Sequence, residues 1–165
     1  MTQKAFPELE GSLARQLAKI EPTNGYYYPA KVILRDGTHV DRVYLADADR
    51  WYVEWGIWPQ DDPGKRYLPL HTVREIQESP TRLPARFADE LYAAGESGMG
   101  FCVFTVVFQD GARVPFVTGN AVDFISFPPG QSPATVASVI PHVGKNDPGL
   151  TSGPGYSWCL FSRSI

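Results

Sequence analysis

Two stretches of equal length decide the predicted fold: VILRDGTHVDRVYLADADRWYVEWG at residues 32–56 and VVFQDGARVPFVTGNAVDFISFPPG at residues 106–130. With a shift of 74 residues and no gap, seven of the 25 aligned pairs are identical. Average composition would give roughly one or two identities. The identical pairs are Val32/Val106, Asp36/Asp110, Gly37/Gly111, Val40/Val114, Val43/Val117, Asp49/Asp123 and Gly56/Gly130. We interpret the two stretches as an internal duplication.

Each stretch carries an Asp-Gly pair between apolar runs, Asp36-Gly37 in the first and Asp110-Gly111 in the second. This pattern is typical of a β-hairpin, because glycine adopts the positive φ of a tight turn without strain. Hairpin strands are expected at residues 30–35 with 38–45, and at residues 101–108 with 112–118. Further strands are expected at residues 51–57, 67–77, 124–127 and 156–162, with a loop at residues 144–156.

Apolar residues spaced three and four apart predict two helices. The first stripe consists of Phe6, Leu9, Leu13, Leu17 and Ile20, and the second of Leu83, Phe87 and Leu91. Pro84 begins the second helix and Gly95 ends it. The predicted fold is mainly β, of the α+β class. It has two similar units of a helix plus a small antiparallel sheet or barrel, at residues 1–82 and 83–165. They pack as one compact domain, and the last strand belongs to the second unit.

This order of elements, with one Asp-Gly turn in each unit, resembles the small-barrel group that includes Sm-like and SH3-like folds. The resemblance implies small β-barrels over roughly 110 of the 165 residues. Asp47 and Asp49 stand near the place of the RNA-contacting Asn of the Sm family, and its late Arg-Gly pair has no counterpart. RNA binding is therefore not implied.

Charge and composition exclude several classes of protein. The 165 residues carry 15 basic and 18 acidic side chains, a net charge of −3, which argues against binding nucleic acid through bulk positive charge. Two cysteines are too few for a disulfide scaffold. Residues 1–13 lack the apolar run of a signal peptide, and no stretch reaches the roughly 18 apolar residues of a membrane span. We expect a cytoplasmic protein without a membrane partner.

The two halves differ in their aromatic residues. Three of the four Trp and six of the eight Tyr lie between residues 26 and 67, whereas six of the nine Phe lie between residues 101 and 127. Tyr and Trp suit binding surfaces, because each joins an apolar ring to a polar group. Trp51 and Trp55 are expected in the core. The predicted binding residues are Tyr52, Trp58, Tyr44 and Tyr67. The Phe-rich residues 101–127 are expected to form the scaffold, with a possible homodimer contact.

Signals for catalysis are few. Asp47-Ala48-Asp49 resembles the Asp-x-Asp pair that holds a divalent cation, although a solvated turn explains it as well. Cys102 or Cys159 with a histidine would make a nucleophile, but Cys102 lies in the most apolar run, where a thiol is inert. We expect no metal, cofactor or catalytic residue.

The sequence therefore favours a non-catalytic, protein-binding protein, such as an inhibitor or an immunity-type protein. Two alternatives stay open. One is a small metal-dependent hydrolase or transferase that uses Asp47, Asp49 and a histidine. The other is a protein that binds single-stranded nucleic acid on a small β-barrel, through aromatic and basic side chains.

Overall fold

The computed structural model describes residues 4–142 and 149–163. Within them the chain is an α+β fold with three helices and two mixed sheets, with 37% of residues in strands. The predicted class is confirmed. Neither sheet closes into a barrel in the described residues, so the barrel expected for each unit is absent.

The elements of the described residues are, in chain order, α1 (Gly11–Leu17), β1 (Tyr27–Leu34), β2 (His39–Asp47), α2 (Ala48–Trp55), β3 (Arg66–Tyr67), β4 (Val73–Gln77), α3 (Ala85–Ala94), β5 (Cys102–Phe108), β6 (Arg113–Thr118), β7 (Val136–Pro141), β8 (Thr151–Ser152) and β9 (Ser157–Phe161). Short 3-10 turns lie at Pro59–Asp61, Leu70–Thr72 and Pro133–Thr135. None of these helices has the length and apolar character needed to cross a bilayer.

The chain divides into two compact units, one formed by Met1–Ser79 with Tyr156–Ile165 and the other by Pro80–Gly155. The sheet of the first unit has the strand order β3-β9-β2-β1-β4. The β1, β2 and β4 pairings are antiparallel, whereas β9 runs parallel to both β2 and β3. The last strand, placed with the second unit from the sequence, thus lies inside the first unit's sheet.

Helix α1 is shorter than the stripe from Phe6 to Ile20 predicts. The residues before it are extended, because Ser162 donates its backbone N–H to the Pro7 carbonyl at 2.8 Å, just after β9. Leu17 and Ile20 are buried as predicted. They belong to a core cluster with apolar residues of the sheet, among them Val32 of β1.

The strand predicted at residues 51–57 is instead helix α2 with its C-terminal turn. Asp47 caps the helix, since its carboxylate accepts the backbone N–H of Arg50 at 3.1 Å. Gly56 ends it at a φ of +75°. In the helix, Trp51 and Trp55 are one turn apart and their rings stack at 5.3 Å. The spacing of four between Trp51 and Trp55 fits one face of a helix as well as one face of a strand, so the alternating pattern did not distinguish the two.

The second unit has the sheet order β7-β5-β6-β8. Its helix α3 begins after Pro84 and ends at Gly95, as predicted. The β8 strand runs parallel to β6, so this sheet is also mixed. The strand predicted at residues 124–127 is reduced to one bridge between Phe124 and Arg82. Of the loop predicted at residues 144–156, residues 144–148 lie outside the described residues.

The two Asp-Gly turns have the same local geometry. Gly37 and Gly111 have φ values of +88° and +90°. In each turn the aspartate carboxylate, of Asp36 or Asp110, accepts the backbone N–H two residues further on at 2.9 Å. Hydrogen bonds from the side chain and the backbone of Thr38 lower the pKa of Asp36. Those from the Ala112 backbone and the Gln131 side chain lower the pKa of Asp110. Both pairs therefore form the hairpin turns that the sequence predicts.

Candidate functional site

An aromatic cluster fills the interior of the first unit behind α2. Its members are Tyr27, Tyr44, Trp51, Trp55, Tyr156 and Trp158. The rings of the other five lie between 4.7 and 6.0 Å from the Trp158 ring, centroid to centroid. Trp51 and Trp158 are fully buried, and their indole N–H groups have no hydrogen-bond partner in the described residues. The cluster is a rigid apolar support for α2.

Tyr44 belongs to this cluster and is not available to a partner. Its side chain is 0% exposed and stacks on Trp158 with an interplanar angle of 25°. Strand β2 lies between β1 and β9, and four consecutive residues of it, Val43 to Ala46, are buried. The structure therefore takes Tyr44 out of the predicted binding surface.

Glu54 fixes the outer side of α2 to the residues that lead into β1. Its carboxylate accepts hydrogen bonds from the hydroxyl groups of Tyr26 and Tyr27 and from the Asn24 side chain. Trp55 donates its indole N–H to the Tyr27 hydroxyl at 3.1 Å. Burial raises the pKa of both tyrosines, and the nearby Glu54 charge raises it further. The sequence offers no signal for this role, because the partners are about 30 residues apart.

Exposed and half-buried apolar side chains lie on α2 and the turn after it, and Phe6 joins them through its contact with Trp58. We call this the α2 surface and define it as Phe6, Tyr52, Val53, Ile57 and Trp58. Val53 is 87% exposed and Ile57 is 43% exposed. The Tyr52 ring stacks on Trp58 at 4.4 Å, and Phe6 contacts the other side of Trp58 at 4.9 Å.

The structure thus brings together the predicted residues Tyr52 and Trp58, both half-buried. The sequence missed Phe6, Val53 and Ile57. In the predicted strand, Val53 and Ile57 shared the face of Trp51, whereas the helix turns Val53 into solvent. The Asp47 cap and Gly56 were the local signals that would have revealed this.

Comparisons with protein-family models, curated proteins and solved structures gave no match for this chain.

A groove runs beside Val53, with a volume of about 460 Å³. Its walls are Asn24, Tyr26, Asp49, Arg50, Val53 and Glu54. The Arg50 guanidinium lies over the Tyr26 ring at 4.6 Å. Gly25, at a φ of +80°, lets it approach, because a Cβ there would lie 3.3 Å from Arg50 Nη2. The groove gives the α2 surface a polar rim with both signs of charge.

Tyr67, the fourth predicted binding residue, is half-buried on β3 and lies opposite Trp158 of β9. Burial raises its pKa. No ring contact joins it to Tyr52 or Trp58 within the described residues.

The acidic residues that suggested a metal site in the sequence do not come together into a metal-binding group in the described residues. The Asp47 carboxylate caps α2, while Asp49 is exposed in the helix's first turn. Asp123, which aligns with Asp49 in the sequence, is fully buried and accepts a hydrogen bond from the Tyr92 hydroxyl. In the part of the chain that the structure describes, no group of three or more His, Cys, Asp and Glu side chains could hold a metal ion.

Both cysteines are free and buried. Burial raises the pKa of the Cys159 thiol to about 12 and also raises that of Cys102. A thiolate is the reactive form of cysteine, so both sites disfavour nucleophilic chemistry.

Proposed function

We propose that this chain is a non-catalytic protein-binding protein and that the α2 surface is its contact surface. The observation that carries the proposal is the exposure of Val53, 87%, beside Ile57 and the stacked pair of Tyr52 and Trp58. Exposed large apolar side chains gathered on one short segment are typical of interaction sites. Tyrosine and tryptophan are also among the residues that contribute most binding energy at protein interfaces.

The α2 surface is held in place before any partner arrives. The aromatic cluster lies behind the helix, Glu54 ties it to Asn24, Tyr26 and Tyr27, and the Asp47 cap fixes its start. A preorganised surface loses little conformational freedom on binding, which favours affinity. This supports the inhibitor or immunity-type role, in which a small protein covers a site on another protein. A cytoplasmic location belongs to the same proposal.

The test is capture of the partner from the native host, followed by binding measurements on the purified pair. Val53→Lys places a charge at the most exposed apolar side chain of the α2 surface, and lysine suits the last turn of a helix. Trp58→Ala removes the ring between Tyr52 and Phe6. We expect each variant to bind at least about tenfold more weakly, the loss of roughly 1.4 kcal/mol or more.

Met99→Lys is the matched control, because Met99 is 97% exposed in the second unit. It adds the same charge and is expected to bind like the parent chain. Calorimetric titrations that give equal affinities for Val53→Lys and Met99→Lys would reject the α2 surface as the contact.

We also propose that the two units arose by duplication of one module. Support comes from the equivalent pairings of β1 with β4 and of β5 with β7. In each, the register shifts once near the end of the hairpin's first strand, between Ile33 and Leu34 or between Val107 and Phe108. The residue after Leu34 donates its backbone N–H to Thr72, and the residue after Phe108 donates to Thr135, each a threonine that closes a 3-10 turn.

The homodimer contact through residues 101–127 stays a proposal. The phenylalanines that prompted it, Phe104, Phe108 and Phe116, are buried in the core of the second unit. A dimer would have to use the half-buried side chains of this stretch, such as Val114 and Val117. Sedimentation velocity would detect it.

A further inference from the structure

A second pocket lies in the first unit, between α1 and the sheet, and has a volume of about 320 Å³. Its walls are Leu9, Ala14, Leu17, Ala18, Tyr28 and Phe161. Ala14 and Ala18 are one helical turn apart, so two small side chains lie side by side where larger ones would fill the space. The pocket shares no residue with the α2 surface.

Arg163 completes the pocket wall and is its one charged residue. Its guanidinium lies 5.4 Å from the Phe161 ring centroid and 5.8 Å from that of Tyr28. It donates one hydrogen bond, from Nη2 to the Tyr28 hydroxyl at 3.0 Å. A guanidinium has five N–H donors. Arg163 is exposed, so its remaining donors face solvent and are accessible to a ligand.

From this arrangement we infer that the pocket binds a small molecule with an apolar chain and a carboxylate. The accessible side chains of Leu9, Ala14 and Ala18 would contact the apolar chain. Arg163 would take the carboxylate in a two-point hydrogen bond, the geometry that guanidinium groups favour. No acidic side chain lines the pocket among the described residues, so nothing in its wall repels an anion.

The volume favours a free ligand over a macromolecular partner. It lies at the lower end of the range for small-molecule pockets, roughly 300 to 1,000 Å³. A stable protein–protein interface needs a contact of about 800 Å² on each partner, far more than this site offers. The inference is therefore separate from the protein-binding function proposed above, and either can fail alone.

The experiment titrates octanoate, below its micelle concentration, into the full chain by calorimetry. Amide NMR shifts of Ala14 and Tyr28 locate the site. We expect saturable binding that weakens about tenfold in Arg163→Gln, since a hydrogen bond to a charged group is lost. Binding of 1-octanol is expected to be equal in the two proteins, because it has no charge for Arg163 to meet. Arg74→Gln, at an exposed arginine of β4, is the matched control.

Ala14→Leu is expected to fill the pocket and block octanoate. Ala18→Leu serves the same purpose at an exposed position and keeps the test valid if Ala14→Leu unfolds the chain. The inference is overturned if octanoate shows no saturable binding, if Arg163→Gln binds it as tightly as the parent, or if neither leucine variant weakens it. It is also overturned if octyl phosphate or a short peptide with a C-terminal leucine binds and octanoate does not.

Discussion

Glu54 shows how much one side chain on the rim of a helix can organise. Its carboxylate is the common acceptor for Asn24, Tyr26 and Tyr27, which precede or begin β1. Tyr26 and Tyr27 are 6% and 1% exposed. This carboxylate accepts a hydrogen bond from both hydroxyl groups. A buried donor that loses its acceptor costs roughly 1 to 3 kcal/mol. The fold therefore needs these two tyrosines in their protonated form.

This requirement predicts loss of stability at alkaline pH. Tyr26, Tyr27 and Tyr67 all have a pKa raised above the ordinary value of 10.0, with burial as the main cause. Above pH 10 the unfolded chain loses these protons while the folded chain keeps them, so the free energy of unfolding falls as pH rises. Urea unfolding at a series of pH values, together with tyrosinate absorbance, measures this.

While the chain stays folded, the tyrosinate absorbance should correspond to fewer than the eight tyrosines present. The remaining tyrosines should ionise only when the protein unfolds. Stability that stays constant through pH 11 would contradict the prediction.

Single residues were predictable only where local pattern decides their burial. Tyr52 and Trp58 were predicted at the surface, and both reach it. Tyr44 was predicted there too, but β9 covers it, and β9 lies more than a hundred residues further along the chain. No local pattern reports a partner strand at that distance.

At the scale of elements, α2 shows why short apolar patterns are ambiguous. Trp51 and Trp55 are four apart, a spacing that is even and so fits one face of a strand, and that also fits one face of a helix. The aspartate cap and the glycine stop distinguish the two interpretations. Helix α3 was predictable, because its apolar stripe, Pro84 at its start and Gly95 at its end all indicate the same helix.

The Asp-Gly turns allow a matched test of two elements. Gly37→Ala and Gly111→Ala each place a side chain at a φ near +90°, where nothing lies within 4 Å of the added Cβ. The cost therefore comes from the backbone alone, and we expect about 1 kcal/mol from each variant. Urea unfolding measures both.

Gly64→Ala is the control, because Gly64 is not in the left-handed region and its added Cβ would make only an ordinary contact, 3.5 Å from Asp62. It should leave stability unchanged. Clearly unequal costs at Gly37 and Gly111 would contradict equivalent turns.

At the scale of the whole molecule, the sequence predicted two units but placed the last strand in the wrong sheet. The turn of a hairpin shows which two strands pair. The parallel strands β9 and β2 are not joined by a short turn, so the local sequence does not indicate their pairing. The apolar residues of β9, such as Trp158 and Leu160, only show that it is buried.

The position of β9 predicts different outcomes for two truncated chains. Residues 80–155 alone keep their whole sheet and core, and we expect cooperative urea unfolding by circular dichroism. A chain ending at residue 155 lacks the strand between β3 and β2, and we expect its first unit to unfold. Tryptophan emission reports that unit alone, because all four tryptophans lie in it and the truncated chain keeps Trp51, Trp55 and Trp58.

The wavelength of maximum tryptophan emission from the truncated chain should match that of the full chain in concentrated urea. Emission like that of the folded full chain would show that β9 is dispensable.

The same arrangement sets an order of assembly during translation. The ribosome makes Pro80–Gly155 before it makes β9, so the second unit is complete in the nascent chain while the first unit still lacks a strand. Until β9 is made, strands β1 and β2 keep apolar side chains uncovered, although they are synthesised before the second unit. Such waiting segments are prone to aggregate, and they are what chaperones bind. Nascent chains stalled after residue 155 should therefore be captured by a holdase, and release should follow once the final strand has emerged.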